Sequence, residues 1–295
     1  MKQFFLIDGF AFLYRAYYAF PEMRNSSWMN VNAVYGFLRM MLKRFAKKPD
    51  FFVIAWDSQE KTFRHQQHED YKANRKKMEE DFTGQIPVIL QIIEELKIPS
   101  LAIPGYEADD ILASLIWKYK REPDLSLYLY SADKDLKQTL DENVFVVDPI
   151  KDIPYQKKDF VREFWFEPIY IVDYLALLGD AADNIKGVNG IGEKKARSLV
   201  QQFQTVENIY AHLESIEPFV ANILKDQKEV ALFSKSMVQL AEVDLSMVAL
   251  EDFRFTLDYD LYLSILGKKY AFASLEKLLL DMKKEAERPQ QLWLF

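Results

Sequence analysis

The chain has 295 residues, 49% hydrophobic and 28% charged, enough for one large or two small folded units with a sizeable core. It has no cysteine, which excludes disulfides and thiolate metal sites, and its three histidines (His65, His68, His212) are too few and too scattered for a zinc cluster, so oxygen is left as the main ligand type. The net charge of −7 speaks against a uniformly basic nucleic-acid binder, yet the charge is uneven: Lys61, Arg64, Lys72, Arg75, Lys76 and Lys77 face only Glu69 and Asp70, six bases against two acids.

The predicted elements begin with a strand at about 3–8, Phe4-Phe5-Leu6-Ile7, which ends in Asp8. Helices are expected near 10–20 and 31–47, then a strand at 51–56 that ends in Asp57. Residues 61–82 are polar, basic and without apolar periodicity, and read as an exposed insertion. A helix at 83–97 and a short strand at 100–103 lead to the turn Pro104-Gly105. Glu107 opens a helix whose Ile111, Leu112, Leu115 and Ile116 share a face. The strand 125–130 runs into Asp133 and Asp135, a short helix covers 134–140, and a strand covers 143–147. Strands alternating with helices predict an α/β fold with a mostly parallel central sheet. After about 165 the chain reads as short helices, with one further strand at Phe253-Arg254-Phe255, and Lys283 to Pro289 reads as a linker before an apolar tip. There is no signal-peptide pattern, and no apolar run approaches the ~20 residues of a membrane helix, so a cytoplasmic protein is expected.

In an open parallel sheet, ligands bind beyond the carboxyl ends of the strands. Asp8, Asp57, Glu107, Asp109, Asp110, Asp133, Asp135, Asp180 and Asp183 would therefore gather at one edge, where they repel one another unless hard divalent cations neutralise them. Taken singly, each has a bland explanation. Glu107, Asp109 and Asp110 complement a helix dipole, and Asp133 and Asp135 can cap the following helix. Their joint placement is harder to explain as capping. Carboxylate sites with two metals about 3.5–4 Å apart serve phosphodiester displacement. Gly187-Val188-Asn189-Gly190-Ile191-Gly192-Glu193-Lys194 is neither a P-loop nor GxGxxG, which disfavours nucleoside triphosphate binding. The segment is either a phosphate-binding loop, with charge from Lys186, Lys194, Lys195 and Arg197, or an ordinary helical corner; by itself it does not decide between them.

Ordered motifs over roughly residues 1–215 carry a resemblance. They are Asp8-Gly9 with Tyr14-Arg15, Val34-Tyr35-Gly36-Phe37, Phe63-Arg64-His65 with Tyr71-Lys72-Ala73-Asn74-Arg75, Pro104 to Asp110, Ala132 to Leu136, Gly179 to Asn184, and Gly187 to Ala196. In these the chain resembles the flap endonuclease-like 5′ nucleases, most closely the 5′→3′ exonuclease domain of bacterial DNA polymerase I and its stand-alone relatives. The resemblance implies a PIN-like α/β nuclease core over 1–165 with a helical arch at about 61–82. It also implies a helical DNA-binding subdomain with a helix-hairpin-helix (H3TH) element over 166–282, and a tail from 283 to 295.

The same resemblance assigns roles. The nine acids would ligate or support two Mg²⁺ or Mn²⁺ ions. Asp8, Asp57, Glu107 and Asp109 lean to one ion, Asp133, Asp135, Asp180 and Asp183 to the other, and Asp110 acts through water. Lys72 and Arg75, at the base of the arch, would contact the scissile phosphate, and Arg15 would touch DNA phosphate. Gly187, Gly190 and Gly192, with Lys186, Lys194, Lys195 and Arg197, would grip duplex backbone, with a K⁺ ion at the hairpin. Two departures are visible: Ala181-Ala182 replaces a polar pair, and Lys186 stands where proline is frequent. The tip Gln291-Leu292-Trp293-Leu294-Phe295 resembles the peptide that docks on the β sliding clamp, against the alternative of packing on its own domain.

The expected activity is a structure-specific, metal-dependent 5′→3′ exonuclease and flap endonuclease of DNA replication and repair, in the cytoplasm at the nucleoid. It would act as a monomer on branched or nicked duplex DNA with a 5′ single strand. With no polymerase segment following, it reads as a stand-alone nuclease or an excised domain. The rival readings are a PIN-like ribonuclease, which would lack the glycine hairpin and long arch, and a non-catalytic DNA-binding or clamp-recruiting protein, which would gain nothing from nine carboxylates.

Overall fold

The computed structural model describes residues 1–25, 28–75 and 77–288; Lys76 and the tail residues Gln291, Leu292, Leu294 and Phe295 lie outside the described residues. Strand β1 (Lys2–Asp8) takes the middle of a six-stranded sheet because its apolar run can be buried on both faces. Phe4 and Leu6 enter one apolar layer, Phe5 and Ile7 the other. Helices α1 (Gly9–Ala19) and α2 (Asn32–Phe45) cover the second face. Strand β2 (Phe51–Trp56) then pairs with β1 in parallel and divides its residues the same way, with Phe51, Val53 and Ala55 opposite to Phe52, Ile54 and Trp56.

Next along the chain come α3 (Phe63–Gln67), α4 (Glu80–Thr83), α5 (Ile86–Glu95), β3 (Ser100–Ala102), α6 (Ala108–Tyr119), β4 (Leu125–Tyr130), β5 (Val144–Val147) and β6 (Pro154–Tyr155). The sheet order is β3-β2-β1-β4-β5-β6, parallel throughout except for β6. The chain thus builds outward from β1 to β3, then returns to the other flank of β1. That reversal is a topological switch point, where an α/β sheet opens a crevice.

The first face is covered by α6 and by a helical layer: α7 (Lys157–Phe164), α8 (Ile171–Leu178), the two-stranded ribbon β7 (Gly179–Asp180) and β8 (Ile185–Lys186), α9 (Glu193–Phe203), α10 (Val206–Ala211), α11 (Pro218–Asp226) and α12 (Lys228–Val238). The sequence expectation of one helical subdomain over 166–282 needs correction here. Helices α13 (Tyr259–Tyr262) and α14 (Ala273–Glu287) leave that layer and pack on the opposite face, where Tyr262, Leu266, Leu275 and Leu279 join the α1–α2 core. The crossing is made by an aromatic seam at the bottom of the sheet. Phe253 stacks on Phe4, Phe255 lies between Phe45 and Phe52, and the Phe255 N–H donates to Asp50 O. The strand expected at 253–255 is accordingly a single bridge between Arg254 and Phe51.

The insertion at 61–82 is also less exposed than its composition suggests. Thr62, Arg64, Tyr71 and Phe82 are buried, and among its described residues the helical content is limited to α3 and the short α4. Polarity misleads here because the buried charges are paired with acids that are distant in sequence. Among the described residues, no helix is long and apolar enough to cross a membrane.

Candidate active site

The carboxylates gather where the topology requires. Asp8 ends β1, and its Oδ1 accepts the Ala11 N–H at 3.0 Å, capping α1. Asp57 follows β2 and accepts the Ala108 N–H at 2.7 Å, which ties that strand end to the first turn of α6. Glu107 is the N-cap of α6, and Asp109 lies in its first turn. Asp133 follows β4 and accepts the Asp135 N–H at 2.8 Å. Asp180 and Asp183 arrive on the β7–β8 ribbon, where Asp180 accepts the Ala182 N–H at 2.9 Å. Asp8, Asp57, Asp133 and Asp180 thus each use one oxygen in a local backbone bond, whereas both oxygens of Glu107 and of Asp183 are met by side chains of the insertion.

The ribbon depends on two glycines that touch back to back. A Cβ on Gly179, whose φ is +74°, would lie 2.2 Å from the Gly187 amide nitrogen, and one on Gly187 would lie 2.1 Å from the Leu178 carbonyl carbon. Only paired glycines let the two backbones come this close and present Asp180 to the cluster.

Mutual proximity appears in the ionisation of these groups. Burial, then the Asp57 and Asp133 charges, push Asp8 up to about 7. Burial, then Asp133 and Asp180, push Asp135 up to about 8. Burial raises Asp109 well above the ordinary carboxylate range, with Asp133, Asp8 and Asp57 adding to it. Asp133 and Asp57 are raised chiefly by the same desolvation, although Asp57 keeps an open side toward solvent. Such mutual destabilisation is what like charges in one crevice produce.

Basic residues from the insertion lie over the cluster. Lys72 Nζ donates to Glu107 Oε1 at 2.8 Å and stands 3.9 Å from Asp183, and an Arg75 nitrogen reaches Asp183 Oδ1 at 2.5 Å. Burial alone would lower the Lys72 ammonium, but Glu107 and Asp183 outweigh it and raise it. The Tyr71 hydroxyl is within 3.1 Å of Glu107 and 3.3 Å of Asp183, and Lys134 pairs with Asp180 at 3.1 Å. Backbone contacts fix the insertion to the Asp180–Asp183 turn: the Lys72 N–H donates to Asp183 O, Asn74 Nδ2 to Ala181 O, and Asn184 Nδ2 to Asp70 O. Tyr71 and Lys134 carried no sequence signal beyond their place inside motifs.

Three sequence-assigned residues stand elsewhere. Asp110 is fully buried, and both its oxygens are engaged. They accept from Arg64 at 2.8 and 2.9 Å and from the Ala241 N–H at 2.8 Å, so it is an anchor of α6 rather than an ion ligand. Arg197 turns away from the hairpin, donates to Glu163 O at 3.1 Å and lies over the Phe164 ring, so its charge serves the α7–α9 contact rather than phosphate. Arg15 is half-buried on α1 and helps hold Asp148 low, behind the backbone hydrogen bond from Lys151 that is the main cause. At the hairpin, Lys186, Lys194, Lys195, Gly190 and Gly192 are exposed and Gly187 is half-buried.

The donor set suits divalent ions. Asp109 Oδ1 and Asp135 Oδ1 are buried oxygens without a hydrogen-bond partner, a costly arrangement that a hard cation would relieve. Among the described residues no three such donors already converge tightly enough to hold an ion; Lys72, Arg75 and Lys134 sit among them and supply the counter-charge.

Comparison with known proteins agrees with this geometry. Residues 3–165 match the family described as 5′-3′ exonuclease, N-terminal resolvase-like domain, and residues 166–258 match the 5′-3′ exonuclease, C-terminal SAM fold. A 5′-3′ exonuclease of Aquifex aeolicus is 37% identical over 253 residues, covering 84% of this chain and 87% of the relative. DNA polymerase I of Caldicellulosiruptor bescii is 36% identical over 257 residues, covering 84% of this chain but 30% of that protein. In fold, the chain is similar to T5 5′-exonuclease in a structure with bound zinc, with a TM-score of 0.67, 20% identity and coverage of 95% and 99%. The catalytic core of Rad2 in complex with DNA substrate gives a TM-score of 0.65 at 13% identity, covering 95% and 92%. With both halves matched and relatives above 30% identity spanning most of its length, the chain belongs to the 5′-3′ exonuclease family and is a nuclease.

Proposed function

We propose that the crevice hydrolyses phosphodiester bonds at 5′ flaps, nicks and RNA primer ends on duplex DNA, using two Mg²⁺ or Mn²⁺ ions. The observation that carries this reading is the pair of unpartnered buried oxygens on Asp109 and Asp135, within a carboxylate cluster roofed by Lys72 and Arg75. When bound, such ions supply charge stabilisation for the attacking and leaving oxygens of an in-line displacement. Asp8, Asp57, Glu107 and Asp109 would hold one ion, and Asp133, Asp135, Asp180 and Asp183 the other. Lys72 and Arg75 would exchange their present carboxylate partners for the scissile phosphate, placing positive charge where the transition state gains negative charge. Arg15 would meet phosphate on the same strand. Gly187, Gly190 and Gly192, with Lys186, Lys194 and Lys195, would grip duplex backbone, a contact that is independent of sequence and sensitive to salt. A 5′-labelled flap on a nicked duplex tests the reading: cleavage near the junction in Mg²⁺, and none in EDTA, is the expected result. Cleavage confined to free single-stranded RNA would instead favour a ribonuclease.

The raised acids give a pH signature. An unfolded aspartate titrates near 3.9. With Asp8 at about 7 and Asp135 at about 8, the folded chain keeps protons that the unfolded chain has already released. Their stabilising contribution is full below about pH 4 and is lost as pH rises through about 8. The Tm in EDTA should therefore fall between pH 5 and 8. Added Mg²⁺ should protect more at pH 8 than at pH 5, because ligands must be deprotonated to bind. A Tm in EDTA that is flat or rising across this range would contradict the protonated cluster.

The hairpin reading includes a K⁺ ion, so duplex affinity should be greater in K⁺ than in Li⁺ at equal ionic strength; equal affinities would remove the ion. The tail Gln291, Leu292, Leu294 and Phe295 would dock on a β sliding clamp, as its sequence resembles such peptides. Deleting Leu294 and Phe295 should abolish clamp pull-down and leave flap cleavage intact, and an unchanged pull-down would refute docking. The working form would be a monomer in the cytoplasm at the nucleoid, and sedimentation at twice the chain mass would refute the monomer.

A further inference from the structure

We infer that Gln227 is a positioning residue that holds the 187–192 hairpin in its duplex-gripping shape; this rests on the proposed role of the hairpin in binding DNA. Gln227 joins α11 to α12, far from the acidic crevice in sequence and without charge of its own. Its side-chain amide pairs with the backbone of Asn189 at two points. The Asn189 N–H donates to Gln227 Oε1 at 2.8 Å, and Gln227 Nε2 donates to Asn189 O at 3.0 Å. This is the pairing a neighbouring strand would provide, supplied by one side chain. It satisfies both backbone groups of an exposed loop residue that no regular element would otherwise bind.

The neighbouring contacts act in the same sense. Gly190 has a φ of +90°, and a Cβ there would come within 3.2 Å of Ile223 on α11. Lys195 Nζ donates to Gly190 O at 3.2 Å and lies over the Phe219 ring, 5.4 Å from its centroid. The loop is thus pinned at 189 by Gln227 and at 190 by Lys195, with α11 behind it. A phosphate-binding loop that is already held pays little ordering cost when duplex arrives. Val188 on one side is buried and its N–H is bonded to Leu177 O, so the freedom gained without the amide pair is confined to Asn189 and Gly190, the residues at the tip of the hairpin.

The test is fluorescence anisotropy of a labelled nicked duplex in EDTA, with the wild type, Gln227→Ala and Gln227→Glu. The glutamate keeps the acceptor for the Asn189 N–H but sets an oxygen against Asn189 O. Both variants should bind roughly tenfold more weakly, with a salt slope shallower by about one. In Mg²⁺ on a flap substrate, KM should rise by a similar factor while kcat stays within about twofold, a split that general loosening of the fold would not produce. Should Gln227→Ala fail to fold, Gln227→Glu carries the same comparison. Wild-type affinity and salt slope in a folded variant would overturn the inference. A wild type that binds duplex but never cuts would sink the nuclease reading while leaving this comparison intact.

Discussion

Asp135→Asn should reduce flap cleavage by at least about a hundredfold while leaving the fold and the grip on duplex DNA in place. The residue stands just beyond β4, where burial and the Asp133 and Asp180 charges push its carboxyl up to about 8. Its Oδ1 is buried with no hydrogen-bond partner, so the side chain contributes little to the fold that an amide of the same shape would forfeit. What the substitution removes is a full negative charge from the place that must hold a divalent cation. Two consequences separate this from ordinary destabilisation. In EDTA at pH 8 the variant should melt at or above the wild-type Tm, because one member of a repelling set is gone. Protection by Mg²⁺ should weaken, since the remaining acids hold the ion less tightly. Duplex affinity in EDTA should hold or rise, because less negative charge faces phosphate. Wild-type cleavage by Asp135→Asn would remove this residue from the metal site, and a Tm drop of many degrees would mean that it is structural.

The contrast with Asp110 shows what a sequence can disclose. Nothing local distinguishes Asp109 from Asp110: both lie in the first turn of α6, one residue apart. On a helix, adjacent residues point about 100° apart, so one faces the crevice and the other faces Arg64. Asp8 and Asp57 were legible because the apolar runs before them had to be buried on both faces, which fixes the sheet, and the sheet fixes where strand ends meet. Asp133 and Asp135 follow from the same rule. The destination of Arg197, the return of α13 and α14 to the far face, and the clamp that Gln227 places on Asn189 are set by contacts between residues 34 to more than 200 positions apart. Periodicity and composition carry no trace of such pairings. The insertion illustrates the same limit, because Arg64 and Tyr71 read as polar surface and are in fact buried.

Arg64→Ala should be the most destabilising single change near the site, by about 3–5 kcal/mol. Arg64 is 2% exposed, and its guanidinium bridges three elements. Two of its nitrogens meet Asp110 at 2.8 and 2.9 Å, a bidentate pair. It also donates to Met237 O at 3.0 Å and Gln239 O at 2.9 Å, at the end of α12, and approaches Glu107 at 3.4 Å. Burial alone would lower the guanidinium, but Asp110 and Glu107 outweigh it and hold it charged. Truncation to alanine leaves the Asp110 carboxylate and two carbonyls buried and short of donors, and that penalty exceeds the worth of any one hydrogen bond. A fall in Tm of roughly 5–15 °C should follow. Activity should fall further than the folded fraction explains, because Glu107 and Asp109 ride on the turn that Asp110 anchors. Replacing both partners with apolar residues, Arg64→Met with Asp110→Leu, should recover much of the stability and little of the activity. If Arg64→Ala melts within 2 °C of wild type, the pair is not the bolt between the insertion, α6 and α12 that its geometry describes.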